Sequence, residues 1–469
     1  MLFLTLNATF QGKENVMLKR MSLLAAGLVL AYAGVALGAV SADKAAQLGN
    51  NLTEIGAEKA GNKEGTIPEY TGGITKPPAS YKKGSGWRPD PFEGEKPLYS
   101  ITTKNMGQFS AKLSEGTKAL LKKYPTFRLD IYKTHRSAAH PKQVLENTKK
   151  HALTAKLTEG GLAFTGAHAG YPFPIPQNGY EAMWNHLLHY EAVTYEQTYY
   201  TFTVDSTGRV TMQSSGNVQQ EFPYYDPAKP NSTEFYNLKV YYTAPSRRVG
   251  EAFLIKDPIE YAHNARKAWQ YLPGKRRVKL APDLSFDTPC SVYGGQATWD
   301  DLVLFQGSME RYDFKLVGKK EMYIPYNDYK MINDTPDPQK DLLKKNHLNP
   351  DLVRWELHRV WVVEGALKTG KRHLYSKRIF YLDEDSWRVV ASDQYDGRGQ
   401  LYRIGFAYMT PSYEIPCPYG DVFTINDLVN DSYLINALNE TGKKGAKFGL
   451  KPFPAKDWTA DSLAGEGVR

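Results

Sequence analysis

Four small groups of residues in this chain carry side chains suited to chemistry. His186 and His189 stand three apart with Glu191 close behind, a spacing that on a helix brings two imidazoles near one carboxylate. No further ligand follows, and histidines on the polar edge of an amphipathic helix give the same pattern, so no metal is expected there. Asp383, Glu384 and Asp385 offer three successive carboxylates to a calcium ion. They lie between two apolar runs, however, where acidic residues form hairpin turns, and Asp393 and Asp396 beside Gly397 read the same way. Arg359 interrupts the apolar side of an alternating run. It either meets an anionic headgroup or carries its charge to a rim on its long stem, and the rim is the expectation. Cys290 and Cys417 both sit in Pro-flanked turns. In an oxidising compartment such a pair is either a disulfide or two free thiols; a bridge would contribute ~4 kcal/mol by closing so long a loop. There is no nucleophile elbow, zinc-protease helix, phosphate loop or dinucleotide fingerprint. The residues therefore predict no catalytic group, no cofactor and no metal.

The elements that must position these groups are organised around Leu352–Met409. Val353, Trp355, Leu357, Trp361 and Val363 alternate with Arg354, Glu356, His358 and Glu364, the period of a strand with one buried face. Turn clusters at Thr369-Gly370, Asp383–Ser386 and Asp396–Gly399 divide the stretch into a four-stranded antiparallel meander. On its last strand Tyr402, Ile404, Phe406 and Tyr408 share a face. Two tryptophans on one face require either a covering layer or an apolar guest. The candidate ligand-binding set is Trp355, Leu357, Arg359, Trp361, Val363 and Phe406.

The rest of the chain reads as more of the same sheet. A helix is expected over Gln108–Tyr124, stopped by Pro125, and a second after Asn178 carrying Tyr180, Met183, Trp184, Leu187 and Leu188. Strands are expected over Tyr195–Asp205, Arg209–Gln219, Phe235–Tyr242, Glu251–Lys256, Ala268–Leu272, Arg276–Leu280 and Arg311–Tyr323, with Asp283–Asp301 a long loop. That gives about ten strands and few helices, hence one large antiparallel sheet.

Composition supports a globular chain: 469 residues, 41% hydrophobic and 23% charged, with 32 Tyr. The net charge of +9 is scattered and no nucleic-acid module is present, so nucleic acid is not an expected partner. At the N-terminus Lys19 and Arg20 precede an uncharged run from Met21 to Ala42 that ends in small residues. This is a signal-peptide pattern, with Met17 the better start and cleavage before Asp43. No cysteine follows the run, so a soluble exported protein without a lipid anchor is expected. The predicted organisation is a signal region over 1–42, an extended Gly/Pro/Lys-rich arm over 43–104, a main domain over 105–440 and a tail over 441–469.

Long unbroken runs also carry a resemblance. The arm from Leu52 to Gly73, the stretch Tyr171–His186, the run Arg311–Asn327, the strand Trp355–Glu364 and the turn Tyr381–Trp387 resemble the periplasmic proteins of domain-of-unknown-function family 1329. Glu64 stands where that pattern has Asp, and the two cysteines lie outside it. The resemblance implies a fold similar to LolA and LolB: a strongly curved antiparallel sheet forming an incomplete barrel, with helices closing a hydrophobic cavity. It also implies a periplasmic carrier of a lipid or other hydrophobic molecule. Its implied partners are an inner-membrane transporter of the resistance-nodulation-division class and an outer-membrane protein. A structural or assembly subunit with a filled core, and an enzyme acting on a hydrophobic substrate, are the alternatives that residues alone leave open.

Overall fold

A computed structural model of the chain describes residues 39–333, 335, 337–439 and 444–466. Most of the predicted signal region lies outside the described residues. Among the described residues no helix is long and apolar enough to cross a membrane.

The strands follow the sequence pattern closely where one face is wet. In chain order they are β1 (Tyr99–Ile101), β2 (Leu129–Ile131), β3 (Lys156–Thr158), β4 (Ala163–Thr165), β5 (Thr194–Val204) and β6 (Val210–Glu221). Next come β7 (Glu234–Ala244), β8 (Ala252–Pro258), β9 (Lys267–Leu272), β10 (Arg277–Leu280), β11 (Tyr312–Pro325) and β12 (Trp355–Leu367). The last are β13 (Lys377–Asp383), β14 (Val389–Tyr395), β15 (Leu401–Ala407), β16 (Phe423–Asp427), β17 (Ser432–Asn439) and β18 (Lys447–Phe448). Among the described residues, all but β3 and β4 belong to one 16-stranded sheet. Two meanders build it. Strands β5 to β10 follow one another, β11 to β17 follow one another, and an antiparallel β17–β5 pair joins the two. Strands β10 and β11 do not pair, so the sheet stays open rather than closing into a barrel. The expected purely antiparallel sheet is corrected at one point: β2 joins β12 in parallel through Trp355 and Ile131, beyond the end of β13.

Three helices of three turns or so pack on this sheet. The predicted helix over Gln108–Tyr124 is two elements, a 3-10 segment over Met106–Lys112 and α1 (Glu115–Lys123). The break falls where extended Leu113 precedes Ser114, whose Oγ accepts from the Thr117 amide and starts α1 afresh. Helix α2 spans Lys142–Thr154 and α3 spans Gly179–Leu187. Asn178 caps α3 as expected, its Oδ1 accepting from the Glu181 amide at 3.0 Å. Gly179 lies so close to β11 that a Cβ would sit 2.5 Å from the backbone of Phe314.

Burial differs from the sequence expectation on the second face of the central strands. Every residue of β16 and β17 is buried, as are the first six of β12. Arg354, Glu356 and His358, expected to face water, are 6%, 0% and 1% exposed. The reason is the N-terminal arm, whose long irregular course from residue 46 to 98 lies over them. Gly56, at φ +91°, approaches Pro174 so closely that a Cβ would lie 1.7 Å from its carbonyl oxygen. This lets Ile55 present its carbonyl to Trp387 Nε1 at 2.9 Å. Tyr70 donates to the Ala138 carbonyl at 2.8 Å. The core consequently divides into two large apolar clusters, one containing α3 and the inner residues of β5–β8, the other containing α1 and the start of β12.

Candidate ligand cavity and its buried polar neighbours

Side chains alternating along β5–β8 bring Tyr195, Tyr199, Val218, Leu238, Val240 and Phe253 to one face. Opposite them stands the segment predicted as a loop, which folds as two 3-10 turns over Ser291–Tyr293 and Trp299–Leu304. Val292, Tyr293, Trp299, Leu302 and Val303 complete the lining. The volume of this partly open cavity is ≈ 60 Å³. That is room for about two waters at ~30 Å³ each, well below the ~300–1,000 Å³ of ordinary small-molecule sites.

The covering segment is held by charge. Arg378, wholly buried on β13, donates to Asp300 at 3.1 Å and to Asp301 at 2.9 Å. His373 meets Asp300 at 2.9 Å, and Tyr375 and Gln394 donate to Asp301. Burial opposes ionisation of Asp300, but Arg378 and then His373 outweigh it and hold the carboxyl well below its usual range.

One acidic group lines the cavity itself. Asp421 accepts from Arg388, whose other arm reaches Glu191 at 3.1 Å. Burial, then the charge of Glu191, push the Asp421 carboxyl up to about 7. Its folded value therefore exceeds its unfolded value near 4, so the folded state binds the extra proton between those limits. The contribution to stability is fully present below about pH 4 and is lost as pH rises through about 7. Asp421→Asn is expected to flatten the part of the stability–pH profile between pH 4 and 7, measured by denaturant titration at several pH values. An unchanged slope would show that Asp421 does not titrate in that window.

His189 and Glu191 stand with Asp421 in one group whose ligand atoms all lie within 4.8 Å of one another, while His186 stands apart. His186 uses both ring nitrogens, Nε2 toward the Phe305 carbonyl and Nδ1 toward the Val389 amide. The position between Glu191 and Asp421 holds the Arg388 guanidinium. The second acidic group is placed quite otherwise than expected. Asp383, Glu384 and Asp385 form a turn, but it is buried, at 0%, 1% and 1% exposure. Arg136 grips Asp385 at 2.8 and 2.7 Å, while Lys319 and Arg359 reach Glu384. Asp393 is also no surface turn residue. It accepts from Ser114, the Gly116 amide and Tyr381.

The six predicted ligand residues are separated. Val363 is buried in the cluster that contains the cavity, with Trp361 packed against it. Trp355, Leu357 and Phe406 lie in the other cluster, where Trp355 meets Phe406 edge-on at 5.2 Å. Arg359 reaches no rim: it is covered by the arm, bonded to the Ala60 carbonyl and Glu384. The bridge considered between Cys290 and Cys417 is not made. Both are buried free thiols, Cys290 near Arg248 and Cys417 near Arg88. Sequence reading missed the cavity residues of β5–β8, although Tyr195, Gln197 and Tyr199 alternate as clearly as the tryptophans of β12. The covering segment has no periodicity and gave no signal.

Comparison with known proteins places the chain. It is 40% identical over 437 residues to the Pseudomonas aeruginosa protein described as "Uncharacterized protein PA3922", covering 92% of this chain and 95% of that one. Among solved structures, a DUF1329 family protein from Desulfovibrio piger aligns at 12% identity over 60% of this chain and 95% of its own, with a TM-score of 0.41. The LolA superfamily protein NE2245 from Nitrosomonas europaea aligns at 13% identity over 61% of this chain and 100% of its own, with a TM-score of 0.37. Residues 100–464 match the family model described as "Protein of unknown function (DUF1329)". With that match and the Pseudomonas relative in hand, the chain belongs to the DUF1329 family.

Proposed function

We propose that this protein is an exported, non-catalytic binding or carrier protein for a lipid or other hydrophobic molecule in the periplasm. The supporting observation is the aromatic and aliphatic cavity between β5–β8 and the 291–304 segment. The cavity is small, so an acyl chain is accommodated as the 291–304 segment moves away from the sheet. Each methylene the cargo buries contributes ~0.8 kcal/mol, enough for an acyl chain to bind firmly without a hydrogen bond. Trp361 and Val363 share the cavity's cluster and extend the same apolar path. An inner-membrane transporter and an outer-membrane protein are the partners this role would serve.

Titration with a fluorescent fatty-acid probe tests the reading. The wild type is expected to give saturable binding, and Val218→Trp, which fills the cavity from β6, to weaken it at least tenfold while circular dichroism stays native. A folded wild type that binds no probe would remove the carrier role. The small volume would then favour the second reading, a structural or assembly subunit of an envelope complex with a filled core.

A further inference from the structure

Beneath the N-terminal arm, the turn after β13 meets β12 at a second buried centre, well apart from the cavity lining. His358 and Asp383 face one another there, His358 Nδ1 lying 3.9 Å from Asp383 Oδ1. The other ring nitrogen, Nε2, lies 3.2 Å from Glu356 Oε2. Glu356 also accepts from Arg354 at 2.5 Å and from Asn327 at 2.9 Å. Burial opposes its ionisation, but the hydrogen bond to His358 and the charge of Arg354 outweigh it, leaving Glu356 below its usual range. A carboxylate only accepts, so Nε2 carries a proton and Nδ1 is the nitrogen turned toward Asp383.

Asp383 is unusual among the buried acids of this centre. Arg136, Arg359 and Lys319 pair with Glu384 and Asp385, whereas Asp383 is wholly buried and its one ion-pair contact among the described residues is with the imidazole of His358. Its Oδ2 accepts from Ser386 at 2.6 Å and Tyr326 at 3.3 Å. Its Oδ1 has no hydrogen-bond partner among the described residues. At 3.9 Å a proton cannot bridge Oδ1 to Nδ1, because that distance is beyond any hydrogen bond. A tetrahedral ion with bonds of ~2.0–2.2 Å holds its ligand atoms roughly 3.3–3.6 Å apart, so a shift of a few tenths of an ångström at this pair admits one. A carboxylate oxygen of Asp385 completes a group of three ligand atoms that all lie within 4.8 Å of one another. Arg136 engages both Asp385 oxygens, and each retains a second lone pair.

We propose that His358 Nδ1, Asp383 Oδ1 and Asp385 bind a divalent first-row cation, with zinc the best match to one imidazole and two carboxylates. A water completes four-coordination. The surrounding shell has the form such ligands take in metal sites. The second imidazole nitrogen donates to a carboxylate, fixing tautomer and orientation, and the Tyr326 ring stacks on His358 at 3.9 Å. Complete burial makes the ion a structural clip, bound as the chain folds. It ties β12 to the turn after β13, on which the arm rests through the Glu58 amide at Glu384.

Untagged full-length protein, unfolded and refolded first in chelator and then in excess zinc chloride, tests the site. One equivalent of zinc is expected after gel filtration, with a higher Tm than the chelator-refolded sample. Cobalt in its place is expected to give visible d–d bands, and X-ray absorption of the zinc form to show one imidazole and oxygen donors. Asp383→Asn is expected to bind at least tenfold less zinc. Refolded wild type that retains no zinc, a coordination shell of several imidazoles or thiolates, or a folded Asp383→Asn with undiminished stoichiometry would each overturn the site. Should that variant fail to fold, the wild-type absorption spectrum alone decides.

Discussion

Arg378→Met is expected to destabilise the protein by roughly 3–5 kcal/mol, the usual result of removing one partner from a buried ion pair. Arg378 is the only guanidinium among the described residues that bonds Asp300 and Asp301, and both acids are buried. Its loss leaves two carboxylates in the interior with neutral donors, His373 and the more distant charge of Arg403 to answer them. Its guanidinium also lies 5.1–5.2 Å from the ring centres of Phe305, Tyr375 and Phe380, so packing is lost with the charge. Urea denaturation measures the change. Limited proteolysis is expected to show new cleavage between residues 283 and 304, because those two acids anchor the covering segment. Adding Asp300→Asn and Asp301→Asn to Arg378→Met should recover part of the loss, since the buried charges go with their partner. A cost below about 1 kcal/mol would mean that the ion pairs do not hold this segment.

Trp387→Ala is expected to cost a similar ~3–5 kcal/mol, as removal of a large buried aromatic does. Trp387 is fully buried and stacks on Trp361 at 5.8 Å with the rings 13° from parallel. Its Nε1–H donates to the Ile55 carbonyl, one of the bonds by which the arm is fastened. Two effects can be separated. Trp387→Phe keeps most of the packing but drops the hydrogen bond, and is expected to cost ~1 kcal/mol for the bond plus the lost ring volume. Faster proteolysis within residues 46–98 should accompany both variants. Full stability in Trp387→Ala would show that the arm contributes little to the fold.

Much of the architecture was legible in residue order. The alternation of β12, the turns at Thr369-Gly370 and Asp396–Gly399, the Asn178 cap and the hairpin of β5 with β6 are local features, fixed by side-chain period and turn chemistry. Strands β16 and β17 were not among the expected strands; in β17 the consecutive apolar residues Tyr433, Leu434 and Ile435 break the period of two. The candidate sites depended more on contacts distant in sequence. His186, His189 and Glu191 are close in sequence, yet Asp421 groups with His189 and Glu191, and Arg388, some two hundred residues away, pairs with Glu191. The acids at 383–385 resembled a solvated turn, yet the arm and Arg136 cover them. Trp355 and Trp361 alternate on one strand, yet they pack in different clusters. Sequence by itself determined the strands of the β12–β15 meander and the β5–β6 hairpin, because their period and turns rest on residues close together in the chain. The tertiary structure decided which polar faces are buried and which carboxylates share a partner, because burial and charge pairing depend on segments that only the folded chain brings together.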